Sequence, residues 1–261
     1  MSDLSSFATA GGTRLRALRQ LRGKSQLAVE LEANLGIGYL QRLERGRVQQ
    51  PARETIERIV DVLRPSYVER RMIFAGFGYV VPFMTPTALE IQQAIAAYWN
   101  EAQHEMMPVY LLDCWHRMHA WNAPTSTLIE AIHMTDALIM PRLIFDPDYG
   151  FGPRIINQEL FFSSQIQALC YERTRYCDEG WFEALIAEMC QHELFDAYWN
   201  KQLHVASSPV ATRPVAHLQF ASTRGLLQFR IVSQPLAPDP RFRLIYWLPA
   251  DANTLYQYQS H

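Results

Sequence analysis

Cys114, His116 and His119 fall within one short stretch, a grouping of donors that invites a metal reading. In an extended segment, however, a three-residue step sends the two imidazoles to opposite faces, and the group does not converge. His192-Glu193 lacks the second histidine of an HExxH zinc site. The carboxylates of Asp146-Pro147-Asp148-Tyr149 suit turn formation better than paired acid–base work. No GxGxxG, GxxxxGK[ST] or GxSxG run occurs. These residues predict no enzyme and no metal or cofactor; haem ligation through one histidine stays open as an alternative that no ligating spacing supports. The better-supplied chemistry is cationic: arginines crowd the first quarter of the chain and offer guanidinium donors to phosphate.

That crowding is invisible in the totals. The 261 residues carry a formal net charge of −2, which by itself argues against a nucleic-acid partner. Residues 1–75 hold thirteen Lys/Arg against eight Asp/Glu, so a segment of +5 precedes a remainder of −7. A small basic domain joined to a larger acidic one is the simplest account, and 261 residues suffice for two domains. At 49% hydrophobic and 19% charged the chain has material for a buried core. Four cysteines without CxxC spacing fit reduced thiols rather than a secreted disulfide scaffold. With no leader pattern and no apolar run of about 20 residues, the expectation is a cytoplasmic protein with no membrane partner.

The elements that must position these residues follow from periodicity. Thr13 is a candidate cap for a helix bearing Leu15 and Leu18 and ending at Gly23. Ser25 caps a second from Gln26 to about Ala33, and Asn34 tolerates a left-handed turn. A third, Ile37 to Arg45, turns Leu40 and Leu43 inward and stops at Gly46; a fourth after Pro51 carries Ile56, Ile59, Val60 and Leu63; a fifth apolar segment spans Tyr67 to Phe77. Pro82 and Pro86 mark a boundary. Beyond it Ala88, Ile91, Ile95, Tyr98, Trp99, Ala102 and Met106 make one helical stripe, either packing on a neighbouring domain or forming a dimer seam. Strand patterns occupy Val109–Cys114, Met118–Asn122, Val215–Ala221, Leu226–Ser233 and Phe242–Leu248, around a helical centre from Ala123 to Lys201 that DPDYGFGP interrupts. Strands at both ends of a helical middle predict an α+β domain with one antiparallel sheet.

Arg14-Leu-Arg-Ala-Leu-Arg19, Gly23-Lys-Ser-Gln26 and Tyr39-Leu-Gln-Arg-Leu-Glu-Arg-Gly-Arg47 resemble the XRE family of helix-turn-helix regulators over about residues 12–65. The resemblance implies a double-stranded DNA operator as partner. In such a unit the third helix enters the major groove. The resemblance makes Ile37, Gly38, Gln41 and Arg42 the base-facing set, with Arg42 suited to guanine and Gln41 to adenine. Ser25 and Gln26 stand at a helix N-terminus where phosphate can be met, and Arg45, Arg47 and Lys24 are phosphate candidates. Arg19 with Glu44 is similar to the family's internal ion pair. Two positions depart from the family: Glu30 stands where a small Ala is usual, and Gly36 replaces the Ser or Thr that usually caps the recognition helix. Glu30 requires either an exposed register or a partner. The alternative for the arginines is a solvated face that binds nothing.

Pro108–Ile129, Arg142–Tyr149, Glu193–Val205 and the late strands resemble the MmyB-like ligand-binding domain that follows such a helix-turn-helix. The resemblance implies a PAS-like fold and a pocket for a lipophilic molecule such as a fatty acid. Trp121, Phe145, Phe161, Tyr171, Phe195 and Trp199 are candidate walls, each equally explicable as core. Arg142, on an apolar run, is the candidate carboxylate anchor, with a salt bridge to Asp146 or Asp148 as its alternative. His204 is a further candidate, and Asn122 is read as a cap for the next helix. The expected architecture is therefore multidomain: an all-α helix-turn-helix domain over 1–80, a linker and connecting helix over 81–107, and an α+β PAS-like domain over 108–261. A homodimer is expected, since one recognition helix reads only a few base pairs. Two alternatives are a C-terminal domain serving only dimerisation or another protein, and an enzyme with an accessory DNA-binding domain.

Overall fold

The computed structural model describes residues 3–48, 50–102, 104–129, 138–173, 180–205, 216–222 and 225–259. Contacts divide the chain after Met84 into two units.

Five helices build the first: α1 (Asp3–Leu21), α2 (Gln26–Glu32), α3 (Tyr39–Glu44), α4 (Arg53–Leu63) and α5 (Tyr67–Ala75). Side-chain caps start two of them. Ser25 Oγ accepts the Ala28 N–H at 3.1 Å, and Ser66 with Glu69 completes a reciprocal capping box at α5. Asn34 adopts the expected left-handed turn at φ +50°. Leu15, Leu18, Val29, Leu40, Leu43, Ile56, Ile59, Val60, Leu63 and Phe74 close into one core.

The first helix does not start at Thr13; it continues back through Gly12 and Gly11 to Asp3. Each glycine in a helix interior costs about 1 kcal/mol relative to alanine, and packing explains why both are there. A Cβ on Gly12 would strike the Leu43 carbonyl, and one on Gly76 would lie 2.6 Å from the Gly11 Cα. The pair Gly11 and Gly76 thus lets α1 and α5 touch backbone to backbone. The third helix starts at Tyr39 rather than Ile37, with Gly38 as its cap at φ +81°.

The second unit contains α6 (Ala88–Ala102), β1 (Val109–Asp113), β2 (Arg117–Trp121), α7 (Ala123–Ile129), β3 (Leu138–Ile139), α8 (Met140–Phe145), α9 (Gln158–Arg173), α10 (Gly180–Met189), α11 (Glu193–Val205), β4 (Ala216–Ser222), β5 (Gly225–Pro235), β6 (Phe242–Pro249) and α12 (Ala252–Gln259). The six strands form one antiparallel sheet in the order β3-β2-β1-β6-β5-β4. The segment Asp146–Pro153 makes tight turns, as its Pro and Gly content predicts. The short β3 and the terminal α12 carry too little pattern to be read from sequence.

Every residue of β1 is buried, which a period-two strand achieves only when both faces of its sheet are covered. One cover is α6: its Ala94, Tyr98 and Ala102 pack on Val109, Leu111, Ala120 and Leu244. The helix expected as a connector is therefore a layer of the second unit, while Trp99 and Met106 of the same stripe are exposed, as is Leu89 beside it. Arg241, in the loop before β6 and almost wholly buried, reaches Glu90 in the first turn of α6 and also Asp239, each at 2.7 Å.

Candidate functional site: a helical reading face and a sheet-backed cavity

In the first unit Gln41, Arg42 and Arg45 follow one another on and just beyond α3 at one- and three-residue steps, and Arg42, Arg45 and Arg47 are exposed. Among the described residues none of these three arginines joins an ion pair with a carboxylate. The Arg42 guanidinium instead lies 5.9 Å from the Tyr39 ring centre, a cation–π arrangement that stiffens the side chain while leaving its donors outward. Ile37 is 80% exposed just before the helix, an unprofitable place for an isoleucine in water alone.

Behind this face lies an ion-pair network. Arg19 meets Glu44 through two parallel bonds, Nε to Oε1 at 2.6 Å and Nη2 to Oε2 at 3.0 Å. This is the pair expected from the resemblance. The bonded carboxylate raises the Arg19 pKa further above its ordinary value. Gln26 Nε2 donates to the same Glu44 at 2.7 Å, so this amide links α2 to the end of α3. Ser25 spends its hydroxyl as acceptor on the α2 cap. Lys24 is paired with Glu32 at 2.6 Å. Glu30, the residue in need of a partner, is buried and accepts the Gly38 N–H at 3.0 Å and the Leu40 N–H at 2.8 Å. Helix α2 is not shifted; the partner is the backbone at the start of α3.

In the second unit a cavity of about 220 Å³ lies against the sheet face opposite α6. Tyr110 and Leu112 of β1 and Ile245 and Trp247 of β6 form its floor by strand alternation, joined by Ile231, Val232 and Ser233 of β5. Met140 and Ile144 of α8, with Phe161, Ser164, Gln165 and Ala168 of α9, form its other wall. The lining is apolar with a few polar groups, the composition of a small-molecule site. Trp247 is 1% exposed, and among the described residues its indole N–H meets no acceptor. A buried donor left in this state is costly, and a ligand oxygen would satisfy it.

Of the candidate ligand residues, Phe161 lines this cavity. Phe145, Phe195 and Trp199 instead pack on one another, with ring centres 5.1 Å and 5.7 Å apart, in the aromatic core between α8 and α11. Trp121 ends β2 and is not part of the lining. The side chains of Tyr171 and His204 lie outside the described residues. Arg142 faces neither Asp146 nor Asp148: its Nε and Nη2 both meet Glu188 of α10 at 2.6 Å. That bidentate bond holds the Glu188 carboxyl below the ordinary range; it clamps α8 to α10, and Arg142 is not among the residues lining this cavity.

His116 sits in the β1–β2 turn at φ +59° and reaches the cavity wall, while His119 Nε2 pairs with Asp113 at 2.7 Å. His116 thus lies outside β2, where the strand-face argument made for this pair does not apply, and no metal-holding cluster occurs among the described residues. Asn122 is fully used: Oδ1 accepts from Val109 N–H and from Thr125, while Nδ2 donates to the Glu105 and Met107 carbonyls. Its cap for α7 thereby also joins β2 to the segment that enters β1. No helix among the described residues is long and apolar enough to cross a membrane.

Sequence reasoning missed Glu30's role and most of the cavity floor. The alternation Leu244, Ile245, Tyr246, Trp247 put Ile245 and Trp247 on one face, but nothing in it says which face is hollow.

Residues 12–71 match a family model described as a helix-turn-helix domain, and residues 102–256 match one described as the MmyB-like transcription regulator ligand binding domain. No curated protein matches the chain. The second model covers more than half of the residues, and each match falls mostly or wholly within one of the two units. This chain belongs to the MmyB-like transcription regulators, DNA-binding proteins in which a helix-turn-helix precedes a ligand-binding domain.

Proposed function

We propose that the chain is a one-component regulator whose PAS-like domain holds a lipophilic acid, and that this ligand controls operator binding by a homodimer in the cytoplasm. The observation that carries the ligand reading is the cavity itself: apolar walls that include Trp247, whose buried N–H meets no acceptor among the described residues, with Ser164, Gln165 and Ser233 on the same lining. An acid fits both parts, its oxygen accepting from the indole and its chain lying on the apolar walls. Size sets a limit. A dry cavity of roughly 150 Å³ takes benzene, so about 220 Å³ takes about nine non-hydrogen atoms. A medium-chain acid is the natural occupant, and a longer one requires the walls to part.

The route to DNA runs through β1. Tyr110 and Leu112 face the cavity while Val109 and Leu111 face α6, so one strand feels both. Helix α6 starts four residues after Met84, where the reading unit ends. A ligand that favours one setting of β1 biases α6, by no more than its difference in affinity for the two settings. Dimerisation rests on the short reach of a single recognition helix, which two-fold pairing doubles.

The test is solvent extraction of the purified protein followed by mass spectrometry, with heptanoic acid, of nine non-hydrogen atoms, added back to the stripped protein. A stoichiometric acid in the extract, or binding of heptanoic acid that alters affinity for a selected DNA duplex, is the expected result. An empty extract with no binding of any added acid overturns the ligand reading and leaves a dimerisation or protein-interaction module.

A further inference from the structure

The start of α3 is held in an unusual way. Its cap residue, Gly38, has no side chain, and neither does Gly36 two positions earlier. The first N–H groups of a helix need acceptors, and a side-chain oxygen just before the helix is the usual source. Here both available positions are glycine. The acceptors come from another element: Glu30 of α2 places one oxygen on the Gly38 N–H and the other on the Leu40 N–H.

We propose that Glu30 is a positioning residue for DNA reading, capping the recognition helix from the neighbouring helix in place of the absent side chain at position 36. The proposal rests on the DNA-binding reading above. A carboxylate at a helix N-terminus is favoured by the helix dipole as well as by its hydrogen bonds. Burial of Glu30 excludes the water that would otherwise compete for the same N–H groups. The two bonds fix both the angle between α2 and α3 and the turn carrying Ile37 and Gly38. They also occupy the N–H groups through which α3 would otherwise meet a phosphate, which leaves backbone contacts of that kind to the N-terminus of α2.

Geometry supplies a rescue. Position 36 has open space for a side chain and no left-handed backbone requirement, whereas Gly38 at φ +81° has one. A serine at 36 can therefore restore a local cap. The experiment compares Glu30→Ala, Glu30→Gln and Glu30→Ala with Gly36→Ser, all in the full chain. The DNA probe is the duplex that wild-type protein enriches from a randomised pool. Glu30→Ala is expected to lose about tenfold in affinity for it, and the double variant to recover at least about threefold, in keeping with the value of one cap. Exchange of the Gly38 and Leu40 amides, followed without DNA, is expected to quicken in Glu30→Ala and to slow again in the double variant.

An affinity for Glu30→Ala within about twofold of wild type overturns the proposal. So does a loss that Gly36→Ser does not reverse, the mark of a carboxylate needed only for general stability. Should Glu30→Ala fail to fold, Glu30→Gln with and without Gly36→Ser decides by the same criteria. Enrichment of no duplex by wild-type protein overturns the DNA-binding reading and the positioning role with it, while amide exchange would still show whether the cap exists.

Discussion

Glu90 Oε1 and Arg241 Nη2 lie 2.7 Å apart, joining the first turn of α6 to the loop before β6, with the arginine side chain only 1% exposed. The other Glu90 oxygen accepts from both the backbone and the hydroxyl of Thr87, so one carboxylate caps α6 and docks it. Removing one partner of a buried pair costs several kcal/mol because the other charge is stranded. Arg241 keeps Asp239, which softens the loss. Glu90→Gln is expected to destabilise the second unit by about 2 kcal/mol, read as a lower urea midpoint with an unchanged slope.

The same carboxylate gives stability a pH dependence. Burial pushes the Glu90 pKa up, but the bonds from Thr87 and Arg241 outweigh it and hold the group below its ordinary 4.5. A depressed native pKa means that the unfolded chain binds the proton more readily, so stability rises with pH through this window. Its contribution is complete above pH 4.5 and is lost as pH falls through the lowered native value. Glu188, held down by Arg142, acts in the same direction. Urea midpoints measured downward from neutrality are expected to stay level to about pH 5 and then drop, with a shallower drop in Glu90→Gln.

Trp247→Phe removes the unanswered donor of the cavity while keeping an aromatic ring on β6. The stripped protein is expected to lose about 1 kcal/mol from the smaller ring. Affinity for heptanoic acid is expected to fall about tenfold, the worth of a hydrogen bond to a charged group. Isothermal titration of both proteins measures this, and an unchanged affinity would show that the acid oxygen sits elsewhere.

Arg42 and Arg47 separate reading from mere attachment. Arg42→Ala is expected to reduce discrimination between the selected duplex and a scrambled one, since a bidentate contact to guanine is worth roughly 1–3 kcal/mol. Arg47→Ala is expected to weaken both duplexes alike and to lower the slope of log K against log salt by about one. Fluorescence anisotropy at several salt concentrations distinguishes them; equal behaviour of the two variants would refute the assignment.

The order of elements was legible because their signals are local. Ser25 announces α2, Asn34 its turn and Pro65 the end of α4, and the five longer strands alternate or run apolar over enough residues to be seen. What escaped depends on contacts distant in sequence. Gly11 and Gly12 look like a lead-in until Gly76 and Leu43 are found against them. Arg142 and Glu188 are 46 residues apart, so the nearer Asp146 and Asp148 took its place in the reading. The aromatic side chains were visible as material for a wall, but Phe195 and Trp199 pack on one another while Trp247 borders the cavity, and composition does not distinguish filled space from empty. Glu30 carried a signal in its departure from the usual alanine, but its bonds to Gly38 and Leu40 had to be seen before that departure acquired a cause.

The contact between Gly11 and Gly76 also bears on where the first unit can be cut. A helix-turn-helix is commonly thought of as ending with its fourth helix, which here means Leu63. Yet α5 closes over α1 through those two glycines, and Tyr67, Ile73 and Phe74 lie inside the same core as Leu40 and Leu43 of the recognition helix. A chain cut at Pro65 would expose that core and release α3 from the layer behind it. The first compact unit runs to Met84, and any segment cut from this chain to carry its helix-turn-helix elsewhere must bring α5 along.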